Sequence, residues 1–315
     1  MLASIFYADK GKVKAGKPDQ FGTLKKKQLW IDIQDPTKAD MDFLRKHFRF
    51  HKLALEDCIH AIQRSKIDDY KSFYFMAMHA IAYRNGKLAV QEIDFFLGET
   101  YVITVHQGNV ACVDAVRERL GHNGILQRGA DFTLYVMLDI MVDNLFPVTD
   151  VINERLDSIE NEIFKTPKKD VVSRLFHLRR DILTLRRYIG PEREVLNALT
   201  RGDAKFVDAG TIPYLRDIYD HLYRIAESID ISRDIIISSF EAYLSTISNR
   251  LNETMKTLTI IATIILPMSL VASIYGMNFR FMPELTWEYG YPFALGVMLL
   301  IAAVMLLYFR RKGWL

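Results

Sequence analysis

Ten positions fall on one face of a single helix at ~100° per residue: Glu241, Ser245, Ser248, Asn252, Met255, Leu258, Thr259, Leu266, Ser269 and Ser273. Most are small, hydroxylic or amide-bearing. The opposite face carries Ile260, Ile261, Ile264, Met268 and Val271, which suit lipid. Small residues let helices approach closely in a membrane, so the seam reads as a packed helix interface. Repeated in several chains around a common axis, the same seam reads equally well as the wall of a watery pore. The run ends in Tyr275-Gly276-Met277-Asn278-Phe279. Gly276 lets the backbone leave helical geometry, and Asn278 offers an uncharged carbonyl oxygen. An uncharged site of this kind suits a hard cation that keeps its water shell, as magnesium does. A ring of carboxylates there would hold a divalent ion too tightly to conduct it. Glu284 and Glu288 follow closely and would raise the local cation concentration.

These residues need a membrane element to position them. Residues 257–279 and 289–309 contain no charge. At ~1.5 Å per residue each run can cross a hydrocarbon core of ~30 Å. Each holds ten Leu, Ile, Val or Phe residues, worth roughly −3 to −6 kcal/mol of insertion free energy. Arg310-Arg311-Lys312 after the second run and Lys256 before the first should stay cytoplasmic. Met1-Leu2-Ala3-Ser4 shows no signal-peptide pattern. Two spans then place both termini inside, with only the loop 280–288 facing out. Two spans cannot enclose a conduit alone, so the pore reading requires a homo-oligomer.

Residues 1–256 carry a net +1 and read as a near-neutral soluble portion. Segments 2–7, 28–33, 72–83, 88–97 and 101–106 are strand-like. Arg84-Asn85-Gly86-Lys87 signals a hairpin between two of them. Asp35-Pro36 reads as the start of a short helix toward Phe48. A sheet with short helices accounts for residues 1–125. Residues 126–210 predict a helical hairpin, 132–164 and 170–199, broken at Thr166-Pro167. No proline lies between Pro213 and Pro267, and no glycine from Thr211 through Tyr275. That permits a continuous helix of about 80 Å, a stalk over 211–256 that continues into the first span. The fold class expected is an α+β cytoplasmic domain, a long stalk helix and two transmembrane helices.

Composition excludes several classes. With 315 residues, 50% hydrophobic and 25% charged, the chain is no disordered tail or collagen-like repeat. A formal charge of +3 gives no sign of a nucleic-acid partner. Cys58 and Cys112 are too few for a disulfide framework and read as reduced structural thiols. The eight histidines show no metal-ligand spacing. Gly11 to Lys17 matches most of a phosphate loop, but Pro18 replaces the needed Ser or Thr. Nothing points to an ATPase or an organic cofactor, so transport would be passive.

Tyr275-Gly276-Met277-Asn278-Phe279, with Met282-Pro283-Glu284-Leu285 and Tyr291-Pro292 behind it, resembles the signature of the CorA magnesium transporters. The resemblance extends to the basic tail, the stalk and Gln63-Arg64-Ser65-Lys66. Two departures stand out. Ser65 occupies a place where relatives often have proline, which should alter only a local turn. Arg280 stands where many relatives carry an acidic residue, which makes the mouth less negative.

The resemblance implies a funnel-shaped homopentamer in the cell membrane, its first spans lining the pore and its second spans forming an outer ring. Asn278 would be the outer filter residue, with Gly276 and Met277 shaping its ring. Ser269, Leu266, Leu258, Met255 and Asn252 would line the conduit. Leu258 and Met255 would form a hydrophobic constriction that gates by dewetting, and Glu241 would lie at the cytoplasmic end. Regulatory Mg2+ between subunits would be held by Glu56, Asp57, Asp139 and Asp217, with Asp57 and Asp217 as the main pair. The ion carried would be Mg2+, with Co2+ and Ni2+ as further cargo. Two alternatives stand beside this reading. One is a zinc-transporting relative, against which the Met282-Pro283-Glu284-Leu285 loop argues. The other is a two-span sensor or scaffold, which leaves the polar seam unexplained.

Overall fold

A computed structural model describes residues 3–9, 12–17, 21–24, 27–59, 64–120, 124–165, 170–280 and 282–314. Gln63, Gly11, Pro18 and the expected break at Thr166-Pro167 lie outside the described residues. The chain forms two compact units, Met1–Ser239 and Phe240–Leu315.

The first unit is built on a seven-stranded sheet of order β2-β1-β3-β7-β6-β5-β4. Its strands are β1 (Ala3–Asp9), β2 (Lys12–Gly16), β3 (Leu29–Gln34), β4 (Lys66–Asp69), β5 (Tyr74–Arg84), β6 (Lys87–Leu97) and β7 (Tyr101–His106). Every neighbouring pair is antiparallel except β3 with β7, which is parallel. The β5–β6 hairpin turns at Asn85 (φ 52°) and Gly86 (φ 75°). Two consecutive positive φ values are what a tight turn matched to strand twist requires, and Asn-Gly accepts them most readily. β2 occupies residues 12–16, so the partial phosphate-loop match is an edge strand paired with β1, not a loop opening a helix.

The short helices α1 (Phe21–Leu24), α2 (Lys38–Phe48) and α3 (Lys52–Asp57) follow the chain between the early strands. The start of α2 differs from expectation. Its N-cap is Thr37, not Asp35. The Asp40 N–H donates to the Thr37 hydroxyl oxygen (3.3 Å), and the Thr37 N–H donates to Asp40 Oδ2 (3.0 Å), a reciprocal capping box. Asp35 instead accepts from the Gly108 N–H at 2.7 Å, tying the end of β3 to the turn after β7. One core cluster joins Ile5, Leu29, Ile31 and Ile33 to Leu44, Phe50, Leu55, Phe73, Phe75 and Phe96. Phe50 stacks on Phe96 at 4.3 Å between ring centroids. Each such buried ring contributes roughly 1.5–3 kcal/mol of burial free energy.

The remaining helices are α4 (Ala111–Arg119), α5 (Ile125–Arg128), α6 (Ala130–Asp143), α7 (Leu145–Lys165), α8 (Val171–Thr200), α9 (Ile212–Tyr275) and α10 (Gly290–Arg311). The helix expected over 132–164 is two helices, separated at Asn144. α9 runs 64 residues without interruption, ~95 Å at 1.5 Å per residue. The boundary between the compact units falls inside it, ahead of residue 257.

Three stretches are long and apolar enough to cross a membrane: Ala130–Lys165, Ile212–Tyr275 and Gly290–Arg311. Burial separates them. The apolar window of the first is 61% buried inside the protein, against 6% and 11% for the others. The first is core of the first unit. The other two expose an apolar surface that water does not favour, and both lie wholly or partly in the second unit.

Candidate functional site

All ten seam residues on α9 are exposed. Met255, Leu258 and Leu266 are 59%, 58% and 68% accessible, although all are apolar. The opposite face behaves differently. Ile260 is buried at 7%. Ile264, Met268 and Val271 are half-buried, and Ile261 is exposed. The opposite face is thus partly covered, and the seam is exposed along its whole length. Along the helix, Thr259 donates its hydroxyl to the Met255 carbonyl and Thr263 to the Thr259 carbonyl, each at 2.7 Å. Each oxygen keeps lone pairs able to accept from water.

α9 ends through a backbone turn. The Gly276 N–H donates to the carbonyls of Ala272 (3.0 Å) and Ser273 (3.2 Å), and the Met277 N–H to that of Ile274 (3.2 Å). Gly276 does not take a left-handed φ. A Cβ there would sit 3.4 Å from the Ala272 carbonyl oxygen. The turn therefore does not itself demand glycine, contrary to the reason expected from the sequence. Met277 and Asn278 are exposed at the helix end. Beyond them Pro283–Leu285 forms a 3-10 turn, with Glu284 and Glu288 exposed. Gly290, at the start of α10, packs so closely that an added Cβ would collide with the Glu284 carbonyl oxygen. Nothing in the sequence marks that contact. At the other end of the same unit, Lys256 Nζ donates to the Gly313 carbonyl at 3.1 Å and lies 5.7 Å from the centroid of the Trp314 ring.

The four acidic positions fall into two groups. Glu56 pairs with Lys52 at 3.1 Å, and Asp57 with Lys66 at 2.7 Å, at the end of α3. Asp139 on α6 and Asp217 on α9 belong to a second cluster, with Asp143 and His221. His221 lies 3.9 Å from Asp217 and 4.0 Å from Asp143. Burial raises the Asp139 carboxyl above the usual range. The neighbouring charges of Asp143 and Asp217 add to the rise, and His221 opposes it. Asp143 and His221 were not singled out from sequence. The only trace of them is i, i+4 spacing, from Asp139 to Asp143 and from Asp217 to His221. Among the described residues no three His, Cys, Asp or Glu side chains are arranged to hold a metal ion.

Ser65 does more than alter a turn. Its buried hydroxyl lies 2.8 Å from His79 Nδ1. The His79 backbone N–H donates to Glu192 Oε1 at 2.8 Å. Glu192 is wholly buried. Burial pushes its carboxyl up to about 8, against the opposing hydrogen bonds from the His79 backbone and Ser65. A second buried network joins β3, β7 and α4. Asp32 accepts from Thr104 Oγ1 (2.6 Å) and Arg117 Nη2 (2.6 Å), and lies 3.2 Å from His106 Nε2. Burial would raise the Asp32 carboxyl, but bonds to His106 and Thr104 and the charge of Arg117 outweigh it and hold it low.

Comparison with known proteins finds relatives over most of the chain. The family model described as CorA-like Mg2+ transporter protein matches residues 25–311. The cobalt/magnesium transport protein CorA of Thermotoga maritima is 38% identical over 291 residues, covering 91% of this chain and 83% of that protein. The putative metal ion transporter YfjQ of Bacillus subtilis is 38% identical over 286 residues, covering 90% and 89%. In three dimensions the chain resembles the complete structure of the CorA magnesium transporter from Methanocaldococcus jannaschii. The TM-score is 0.87 at 19% identity, with 100% of this chain and 99% of that one covered. The chain belongs to the CorA-like Mg2+ transporter family.

Proposed function

We propose that this chain is the subunit of a homopentameric channel that carries Mg2+ passively into the cell, with Co2+ and Ni2+ as further cargo. The observation that carries the reading is the uncovered seam on α9. On the opposite, aliphatic face Ile260 is buried and Ile264, Met268 and Val271 are half-buried, whereas every residue of the hydroxyl-and-amide face is exposed. A lone helix in lipid would be oriented the other way. Five copies turned inward satisfy both faces. In that assembly Asn278 receives the hydrated ion at the outer mouth, with Gly276 and Met277 forming its ring. Ser269, Leu266 and Asn252 line the conduit, and Glu241 lies at its inner end. Leu258 and Met255 form an apolar constriction that is dry when narrow.

The protein sits in the cell membrane with both termini cytoplasmic. The basic tail Arg310-Arg311-Lys312 and Lys256 support that orientation. Inward flow of a divalent cation gains about 4.6 kcal/mol per 100 mV of inside-negative potential, so no chemical energy source is needed. Cytoplasmic Mg2+ bound between subunits by Asp57, Glu56, Asp139 and Asp217 holds the ring closed. When the ion leaves, the carboxylates repel, subunits shift and the constriction widens and wets. Arg280 makes the outer mouth less negative, and Glu284 and Glu288 partly offset it.

Purified protein in liposomes tests the reading. It should take up Mg2+ inward under an inside-negative potential, and Asn278→Ala should abolish uptake. Uptake by Asn278→Ala at the unsubstituted rate would remove Asn278 from the filter. A preference for Zn2+ over Mg2+ in the same preparation would favour the zinc-transporting alternative.

A further inference from the structure

Arg310, Arg311 and Lys312 at the end of α10, with Lys256 on α9, form a cationic patch in the second unit. The chain shapes this end closely. Gly313 takes a left-handed φ of 69°. The Trp314 N–H donates to the Phe309 carbonyl (2.9 Å), and the Gly313 N–H to that of Arg310 (3.1 Å). These are the two bonds of a Schellman cap. Its apolar contact is present as well, with the Trp314 ring stacked on Phe309 at 5.6 Å between centroids. Lys256 Nζ then ties α9 to the cap through the Gly313 carbonyl (3.1 Å). The ends of the two apolar helices are thereby joined, and their cations gather beside an amphipathic ring.

The protein itself does not balance these charges. Residues 289–315 contain no Asp or Glu. Among the described residues, none of the four cations forms an ion pair, and Arg310, Arg311 and Lys312 are exposed. The two arginines also continue an apolar surface. At helical spacing Arg311 follows Leu300, Val304 and Leu307, and Arg310 follows Leu299 and Leu306. All five apolar residues are exposed, Leu299 at 69% and Leu307 at 66%. From Leu300 to Arg311 the helix rises ~16 Å, against ~15 Å for half of a hydrocarbon core. With the leucines against acyl chains, both guanidinium groups reach the depth of one leaflet's phosphates.

We propose that this patch binds the phosphate headgroup of an anionic phospholipid in the cytoplasmic leaflet, with Arg310 and Arg311 as its main ligands. A guanidinium presents a planar fork that matches phosphate oxygens. A basic pocket between the cytoplasmic ends of two spans is the setting in which anionic headgroups are held. Trp314 suits the same level, because its ring is apolar and its edge polar. Lys256 fixes the cap and adds its own charge. A free phosphate would satisfy the arginines but not the leucine stripe that leads to them. The site rests on the reading of α9 and α10 as membrane spans with cytoplasmic ends. It uses neither the filter residues nor the interface acids Glu56, Asp57, Asp139 and Asp217.

Native mass spectrometry of the full-length protein in nonionic detergent micelles tests it, with phosphatidylglycerol and phosphatidylcholine of equal chain length as probes. The protein should retain phosphatidylglycerol in preference. Each cation near an anionic lipid is worth roughly fivefold in binding, so Arg310→Gln combined with Arg311→Gln should lower the phosphatidylglycerol affinity roughly thirtyfold. The same variant should keep its phosphatidylcholine retention and its melting temperature. Arg280→Gln removes a cation from the opposite end of the spans and should have no effect. Inorganic phosphate, which has the charge without the acyl chains, should not displace the lipid. Equal retention of the two lipids would overturn the proposal, as would an unaltered affinity in the double variant. So would an equal loss with Arg280→Gln, or full displacement by inorganic phosphate. Micelles have neither sidedness nor flux, so the lipid site can fail while the transport reading holds, and the reverse.

Discussion

Glu192→Gln should flatten the dependence of stability on pH. The Glu192 carboxyl is raised from its ordinary 4.5 to about 8, chiefly by burial. The folded protein therefore holds a proton that the unfolded chain releases between those values. The associated stability is fully present below about pH 4.5, falls as pH rises, and is gone above about pH 8. At ~1.4 kcal/mol per pH unit, the loss from about pH 6 to about pH 8 is on the order of 2–3 kcal/mol. At ~2–4 °C per kcal/mol for a unit of this size, the apparent melting temperature falls by roughly 4–12 °C. Asp94, also raised to about 8 by burial and the Glu92 charge, adds a similar slope. Glutamine keeps an oxygen for the His79 N–H but cannot ionise, so the variant should retain roughly half of the slope. Trp30 is fully buried in the same unit, so its fluorescence reports the melt of the full-length protein in detergent. Equal slopes for the variant and the unsubstituted protein would show that Glu192 is not held protonated by burial.

Other substitutions probe the two units separately. Ser65→Ala should lower stability by about 1–3 kcal/mol, because it leaves the buried His79 Nδ1 without its hydroxyl partner; an unchanged melting temperature would make that link dispensable. Asp217→Ala should weaken the protection from proteolysis given by millimolar-range Mg2+, and unchanged protection would take Asp217 out of regulation. Gly290→Ala forces a side chain against the Glu284 carbonyl, so it should displace the outer loop and reduce Mg2+ uptake severalfold while leaving the first unit's melting temperature unaltered. Uptake at the normal rate would show that this close approach is immaterial.

Local and periodic signals in the sequence carried over well. Asn85-Gly86 identified its hairpin because positive φ at two adjacent positions is a local demand. The long helix was legible because nothing between Thr211 and Tyr275 interrupts its backbone except Pro267, which it passes through. The seam was legible because helical period maps sequence onto faces. What stayed hidden was long-range. Thr104 meets Asp32 across 72 residues and His79 meets Glu192 across 113, and no period links such pairs. Ser65 looked like a turn substitution because its partners come from β5 and α8. Asp35-Pro36 offers the same capping chemistry two residues before Thr37, yet the Asp35 carboxylate is drawn instead to the Gly108 N–H. Of the site, single positions could be named from the family resemblance. The company kept by Asp139 and Asp217, namely Asp143 and His221, required the fold that packs α6 near α9.

Which face of α9 meets water within the membrane decides the account most directly. With Cys58 and Cys112 replaced by serine, single cysteines at Leu258, Leu266 and Ser269 can be compared with cysteines at Ile260, Ile264 and Met268 in liposomes, using a membrane-impermeant thiol reagent. The seam positions should react, faster when Mg2+ is removed, and the opposite positions should stay inert. Labelling of the aliphatic face with the seam protected would mean that no pore runs along these residues.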